Sequence, residues 1–297
     1  MSTPQADWKN RPERGFAFIT RFMVWLSLTL GRRVSRLVLY PIVLYFVLFA
    51  PTARRASKDY LRRALGREAT VRDGWRHVLG FASVIHDRVY WLRGQTQLFA
   101  VTMSGDAALR ALAESGRGVV FLGAHYGSFE ALRALGERHA LDLKMLMYPD
   151  NARYVTAALA AVDPGMPDKI ITLGQPESIL RVRDHLAAGG AVGILGDRAL
   201  ADDKSRALPF LGGAALFPTG PLRLAAMLRA PVVFMAGAYL GGNRYHLGFE
   251  PVADFAESAA GQEQALERYA ALLEQVCLRA PYNWFNFYDF WKSAPPP

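Results

Sequence analysis

Gly118-Val-Val-Phe-Leu-Gly-Ala-His-Tyr-Gly-Ser-Phe-Glu130 is the stretch on which the fold turns. Its first half is an unbroken apolar run rich in β-branched and aromatic residues, the signature of a strand buried on both faces. Ser128 stands where a helix N-cap is wanted, and an amphipathic pattern follows over 128–138. His125 therefore falls on the turn between a buried strand and a helix, the place where open α/β sheets put their ligand sites. In a continuous helix His125 and Glu130 would point about 140° apart, so their side chains meet only if the chain bends between them. Gly127 supplies a bend. The expectation is a general base, His125, with Glu130 bonded to one ring nitrogen so that the other is free to accept a proton.

Working outward, the chain alternates in the same manner. Strands are expected at 118–123, 143–148, 169–173, 191–196, 231–240 and 244–249, and helices at 128–138, 152–161, 176–188, 220–228 and 262–278. Short strands separated by helices of about ten residues predict an α/β fold with a mixed, largely parallel sheet flanked by helices. The pair 232–240 and 244–249, joined across Gly241-Gly242-Asn243, reads instead as a hairpin. There is no internal repeat, and the ends, 1–6 and 293–297, read as tails.

Gly196-Asp-Arg198 repeats the situation of His125, since it lies just past the apolar run Ala191-Val-Gly-Ile-Leu195. Two polar turns at the ends of parallel strands share one sheet edge, which brings Asp197 and Arg198 toward His125 as substrate-binding candidates. A guanidinium there suits a phosphate or the oxyanion of an attacked thioester; the plain alternative is an Asp197–Arg198 surface pair. Farther on, Phe217-Pro-Thr-Gly-Pro221 leads into a helix, with Thr219 as a substrate contact or simply an N-cap. Gly127 and Ser128 complete the candidate set.

Charge is uneven. Residues 1–100 hold 17 Lys and Arg against 6 Asp and Glu, so the net +9 of the chain belongs to its first third. Arg32, Arg33, Arg36, Arg54, Arg55, Lys58, Arg62 and Arg63 bracket the most apolar run, Leu37-Val-Leu-Tyr-Pro-Ile-Val-Leu-Tyr-Phe-Val-Leu-Phe-Ala50. A nucleic-acid surface has no use for that run; a membrane surface does. Fourteen helical residues reach roughly 21 Å against a hydrocarbon core of ~30 Å, and basic residues on every loop fit no single orientation. Residues 1–65 are expected to form helices lying in a membrane face, with 66–297 as the catalytic α/β domain. A single tilted spanning helix is the alternative.

The remaining residues narrow the chemistry. Cys277, the single cysteine, sits in a helical pattern and reads as packing. Neither zinc-type Cys and His spacing nor a Gly-rich nucleotide loop is present, so no metal and no cofactor are expected. Tyr126-Gly-Ser-Phe-Glu130 is not a GxSxG nucleophile elbow, and no acyl-enzyme is needed if an acceptor attacks the donor directly.

The His-x4-Glu block, the basic apolar N-terminus, Gly196-Asp-Arg198 and Phe217-Pro-Thr-Gly-Pro221 together resemble the bacterial lipid A biosynthesis (late) acyltransferases, over about residues 7–291. Related glycerolipid acyltransferases carry Phe-Pro-Glu-Gly where this chain has Thr219, which points to the lipid A side of the superfamily. The C-terminal Ala280-Pro-Tyr-Asn-Trp-Phe-Asn-Phe-Tyr-Asp-Phe-Trp291 departs from the basic ending of those enzymes. It resembles a branch of membrane acyltransferases associated with aryl-polyene or glycolipid pathways; such dense aromatics either pack on the sheet or line an acyl or aryl pocket. The resemblance implies transfer of a fatty acyl or aryl-polyenoyl group from acyl carrier protein or coenzyme A to a hydroxyl, less readily an amine, of a membrane lipid or glycolipid. It also implies the cytoplasmic face of a bacterial inner membrane and no nucleic-acid partner. A lipid hydrolase using the same dyad and a non-enzymatic lipid-binding protein are the competing readings.

Overall fold

The computed structural model describes residues 13–138, 142–149, 162–198, 204–256 and 261–291; the helix expected at 152–161 and the two tails lie outside them. In chain order the described elements are α1 (Glu13–Ser35), α2 (Leu39–Phe49), α3 (Pro51–Leu65), α4 (Val71–Leu92), β1 (Ala100–Ser104), α5 (Asp106–Glu114), β2 (Val119–Gly123), α6 (Phe129–Arg138), β3 (Leu143–Met147), β4 (Ile170–Thr172), α7 (Pro176–Ala187), β5 (Ala191–Leu195), β6 (Ser205–Phe210), β7 (Gly213–Pro218), α8 (Gly220–Met227), β8 (Pro231–Tyr239), β9 (Arg244–Asp254) and α9 (Gln262–Arg279).

Seven strands form one sheet in the order β1-β9-β8-β2-β5-β3-β4, and β6 and β7 form a separate antiparallel ribbon. From β8 to β4 all neighbours are parallel; β9 runs antiparallel to β8, so the hairpin expected from Gly241-Gly242-Asn243 is present. The sheet is buried on both faces. Within β2, Val120 and Leu122 enter one core cluster while Val119 and Phe121 enter the other, the consequence of period-two side-chain alternation in a strand with helices on either side.

The strands β1, β6 and β7 and the helices α4 and α5 escaped the sequence reading, and β9 runs longer than expected. β1 is an edge strand with no fully buried residue, so it carries no apolar run. β6 contains Pro209, which a strand tolerates only at an edge, and the β6–β7 ribbon is all edge. β9 continues to Asp254 past Pro251, with Val252 as the extra residue of a bulge opposite Val232 and Val233 of β8.

The N-terminal helices are built into the same body. Tyr60, Leu61 and Ala64 of α3 lie in the core with Leu122 and Trp284. At the end of α1 the chain kinks at Gly31, and Arg32 donates to both oxygens of Asp87 on α4 at 2.8 Å. Asp87 is fully buried and also accepts from the Tyr245 hydroxyl at 2.8 Å; Arg36 reaches Tyr239 at 2.7 Å. Arg32 and Arg36, expected to face lipid, thus hold α1 and its successor helix to α4 and the β8–β9 hairpin. Burial alone would raise the Asp87 carboxyl, but His86, Arg32 and Tyr245 together hold it below its ordinary range. The partners outweigh the burial.

α2 buries Leu39 and Val43 but presents other apolar residues outward: Tyr40, Leu44, Tyr45, Phe46, Leu48 and Phe49 are all exposed. Among the described residues no single helix is long and apolar enough to cross a membrane; one pair, Met23–Phe49 with Pro51–Leu65, passes by length and composition but is bent by 94°.

Candidate active site

β2 and β5 are neighbours in register, with Gly123 opposite Leu195. Two residues beyond each strand end stand His125 and Asp197. The register carries through the turn: His125 Nδ1 lies 2.8 Å from Asp197 Oδ1, and the His125 backbone N–H donates to Asp197 Oδ2 at 3.0 Å. The Trp284 indole N–H donates to the same Oδ2 at 2.9 Å. Asp197, wholly buried, therefore spends both oxygens on protein donors, against the imidazole rather than toward open space where it was expected as a substrate contact. An Asp197–Arg198 surface pair is ruled out on the same ground.

Glu130 does not touch the ring. Its carboxylate lies 2.6 Å from Arg88 Nε of α4, off the N–H direction, and its second oxygen is buried without a hydrogen-bond partner. The expected His125–Glu130 contact is replaced because α6 begins immediately after the bend, turning residue 130 toward α4, while the sheet edge brings Asp197 to the imidazole. Glu130 remains beside the site, since the Arg88 charge acts on His125.

The bend itself is as read. Gly127 has φ +60, and a Cβ there would meet the Gly237 carbonyl oxygen at 1.8 Å, so only glycine fits. Ser128 caps α6, its hydroxyl accepting from the Ala131 N–H at 3.1 Å. Each backbone amide from 125 to 128 already has an acceptor: Asp197, Ala124, Asn283 and Gly237 in turn. None is left to receive an oxyanion.

The C-terminal aromatic segment closes the rear of the site. Asn283 accepts the Gly127 N–H and brackets Tyr239 with its side chain, while Phe285 N–H donates to the His125 carbonyl at 2.8 Å. Trp284, fully buried, packs edge-on against Tyr60, Phe210 and Phe290 at 5.0, 5.2 and 4.9 Å. Packing on the sheet is thus the outcome for Trp284 and Phe290, each ring pair contributing about 0.5–1.5 kcal/mol beyond its burial. Trp284 as the partner of Asp197 escaped the sequence reading, since an indole N–H in an aromatic run carries no spacing signal.

Arg198 is exposed, donates to the Phe285 carbonyl at 3.0 Å and lies 5.5 Å from the Tyr288 ring. Its charge reaches the imidazole: burial first, then Arg198, hold His125 below its ordinary value against the opposing pull of Asp197. Asp197 is driven the other way. Burial would raise it, but His125, Arg198 and the indole together hold it far below the usual carboxylate range. Both shifts favour a neutral imidazole over an ionised carboxylate at neutral pH, with a third of the imidazole side chain open to solvent.

Thr219 is not an N-cap by its side chain; its hydroxyl donates instead to the Lys204 carbonyl at 2.9 Å, tying the start of α8 to the β6–β7 ribbon. Cys277 is buried in the core with its thiol pushed up by that burial, as befits packing. Among the described residues no group of three or more His, Cys, Asp or Glu is arranged to hold a metal.

No curated protein matches the chain. A family model, bacterial lipid A biosynthesis acyltransferase, matches residues 12–293, nearly the whole length and including every residue of the site. With His125 and Asp197 joined at the edge of a largely parallel sheet, the chain belongs to that family of lipid acyltransferases.

Proposed function

We propose that the protein transfers an acyl group from a carrier thioester to a hydroxyl of a membrane lipid or glycolipid, with His125 as general base. The observation that carries this reading is the 2.8 Å contact of His125 Nδ1 with a buried, ionised Asp197 while the ring stays partly open. Asp197 fixes the tautomer with the proton on Nδ1, so Nε2 offers its lone pair to the acceptor hydroxyl. The acceptor oxygen attacks the thioester carbonyl as its proton passes to Nε2. The tetrahedral oxyanion collapses, the C–S bond breaks, and the imidazolium returns the proton to the departing thiolate. Arg198 is the nearest candidate to steady that oxyanion or to hold a phosphate, and Glu130 bears on the site by positioning Arg88.

The exposed apolar residues of α2 and of the outer face of α1, among them Trp25, Leu30 and Val34, support a monotopic seat on the cytoplasmic leaflet. Such a seat brings a lipid acceptor to the protein without a spanning helix. The donor is acyl carrier protein or coenzyme A.

The test is acyl transfer by the detergent-solubilised full chain to a bacterial lipid extract, with labelled acyl thioester. Labelled lipid product is expected, and His125→Ala should lose roughly 10² to 10⁴-fold in turnover. Free fatty acid as the sole product, formed at the same rate without acceptor, would establish a hydrolase instead; undiminished transfer by His125→Ala would remove the base from the mechanism.

A further inference from the structure

We propose that the outward face of α3 is a docking surface for an acidic protein, and that this protein is the carrier bearing the acyl thioester. The identity of the cargo rests on the acyl-transfer reading above; the surface rests on its own observations.

Arg55, Lys58 and Arg62 follow at i, i+3 and i+7, which places them on one side of the helix, and all three are exposed. Arg67 continues the stripe just past the helix end, and exposed Arg72 and Arg76 follow on α4. Between residues 54 and 76 there are eight Lys and Arg against three Asp and Glu. Of those acids, Asp73 is buried, occupied by the α4 capping box and paired with Arg67 at 2.8 Å, and Asp59 is shared between Arg62 and Arg63. Glu68 alone is a fully exposed acid, 3.6 Å from Lys58, a surface pair of little strength. Eight cations against three acids leave the face net positive once these pairs are counted.

A membrane is the first partner to weigh, because α2 precedes this helix. An interfacial helix sets exposed large apolar side chains into the lipid beside its basic face. α3 does not: between Phe49 and Val71 no large apolar residue is exposed, and Tyr60, Leu61 and Ala64 point into the core. The lipid-suited surface ends at α2, and the 94° bend carries α3 off in another direction. A nucleotide-borne phosphate is the second. The open cavity of about 400 Å³ lined by Arg62, Arg63, Arg67, Leu211 and Gly212 would take one phosphate. The stripe continues well outside it, since Arg55 to Arg62 alone cover about 10 Å of helix. Several carboxylates spaced along a folded surface match that layout better than one small anion.

The face also adjoins the site. Arg63 stacks on Trp291 at 4.3 Å, Trp291 lies 6.1 Å from Trp284, and the Trp284 indole holds Asp197. A carrier seated on α3 is two ring contacts from the carboxylate that orients His125.

The experiment uses the full chain in detergent, with charge reversals at the exposed Arg55 and Arg62, the latter bonded to Asp59 of its own helix, and Arg183→Glu on α7 as an exposed control on another helix. Binding to purified acyl carrier protein is measured directly, and kinetics are followed with the same acyl group on carrier protein and on coenzyme A. The Arg55→Glu, Arg62→Glu double variant should bind the carrier on the order of tenfold more weakly. Its KM should rise for the carrier-borne donor, with kcat and the coenzyme A reaction unchanged. Added salt should weaken wild-type binding more than that of the variant. Unchanged carrier binding overturns the proposal. So does an equal loss with both donors, which marks a nucleotide or general effect, and so does a loss confined to binding of anionic phospholipid vesicles, which marks a membrane face. If no acyl transfer occurs with either donor, the binding arm still judges the surface while the acyl-transfer reading fails separately.

Discussion

His86 with Asp87 on α4, and His125 with Asp197 at the sheet edge, each bring an imidazole against a buried carboxylate, at 3.4 and 2.8 Å. Their surroundings separate them. His86 is sealed, its other nitrogen engaged by the Ser35 hydroxyl at 2.7 Å, and Asp87 spends itself on Arg32 and Tyr245. His125 keeps a third of its side chain open, and Arg198 stands near it in the solvent. A buried charge cluster whose donors all come from the protein is a clamp; the same pairing with a ring left partly open to solvent is the arrangement we propose as a reaction centre. Pairing alone does not distinguish structure from chemistry, and access does.

That contrast breaks if the two carboxylates respond alike to mutation. Asp197→Asn should leave the chain folded and cut turnover by roughly 10³ to 10⁴-fold, the order expected when a catalytic histidine loses the acceptor on its Nδ1–H. Measured turnover alongside a thermal melt checks both halves. Asp87→Ala should do the reverse. Removing one member of a buried ion pair costs roughly 3–5 kcal/mol, because Arg32 is left 12% exposed with no counter-charge. Denaturant unfolding in detergent should show the loss, while kcat of the folded fraction stays near that of the wild type.

His77 sharpens the contrast from a third direction. It is fully buried between the Ser57 hydroxyl at 2.7 Å and the Trp284 carbonyl at 2.8 Å, and burial lowers it to about 4. Since the folded value is below the unfolded one of about 6.5, the neutral ring's contribution is complete above that pH and is lost as pH falls toward 4. The full effect is roughly 3 kcal/mol. Melting followed from pH 7 to pH 4 should fall more steeply for the wild type than for His77→Gln, which keeps hydrogen-bonding capacity without titrating. Parallel curves would show that His77 does not titrate on unfolding.

Much of this was legible in the sequence, and the misses have physical reasons. The apolar runs before His125 and Asp197 announced two parallel strands, and the glycines at 127 and 241–242 announced a bend and a hairpin, because those signals are local. Which carboxylate meets the imidazole was not local. Five-residue spacing favoured Glu130, but the decision lay in β2 and β5 being adjacent and in register, which no short motif states. The basic N-terminus misled in a similar way. Arg32 and Arg36 were grouped with their neighbours by charge, yet a kink at Gly31 turns them inward to Asp87 and Tyr239. Trp284 is legible only afterwards, as the indole that completes the Asp197 shell.

The central claim is that Asp197 acts through His125 and that Glu130 does not hold the ring. A double-mutant cycle in kcat/KM tests it directly, using His125→Ala, Asp197→Asn and Glu130→Gln singly and each carboxylate change combined with His125→Ala. Asp197→Asn should cost nearly nothing further once His125 is gone, while Glu130→Gln should keep at least part of its cost without the histidine. Additive losses for Asp197, together with a loss at Glu130 that vanishes in the His125→Ala background, would contradict the account and restore Glu130 as the residue that orients the base.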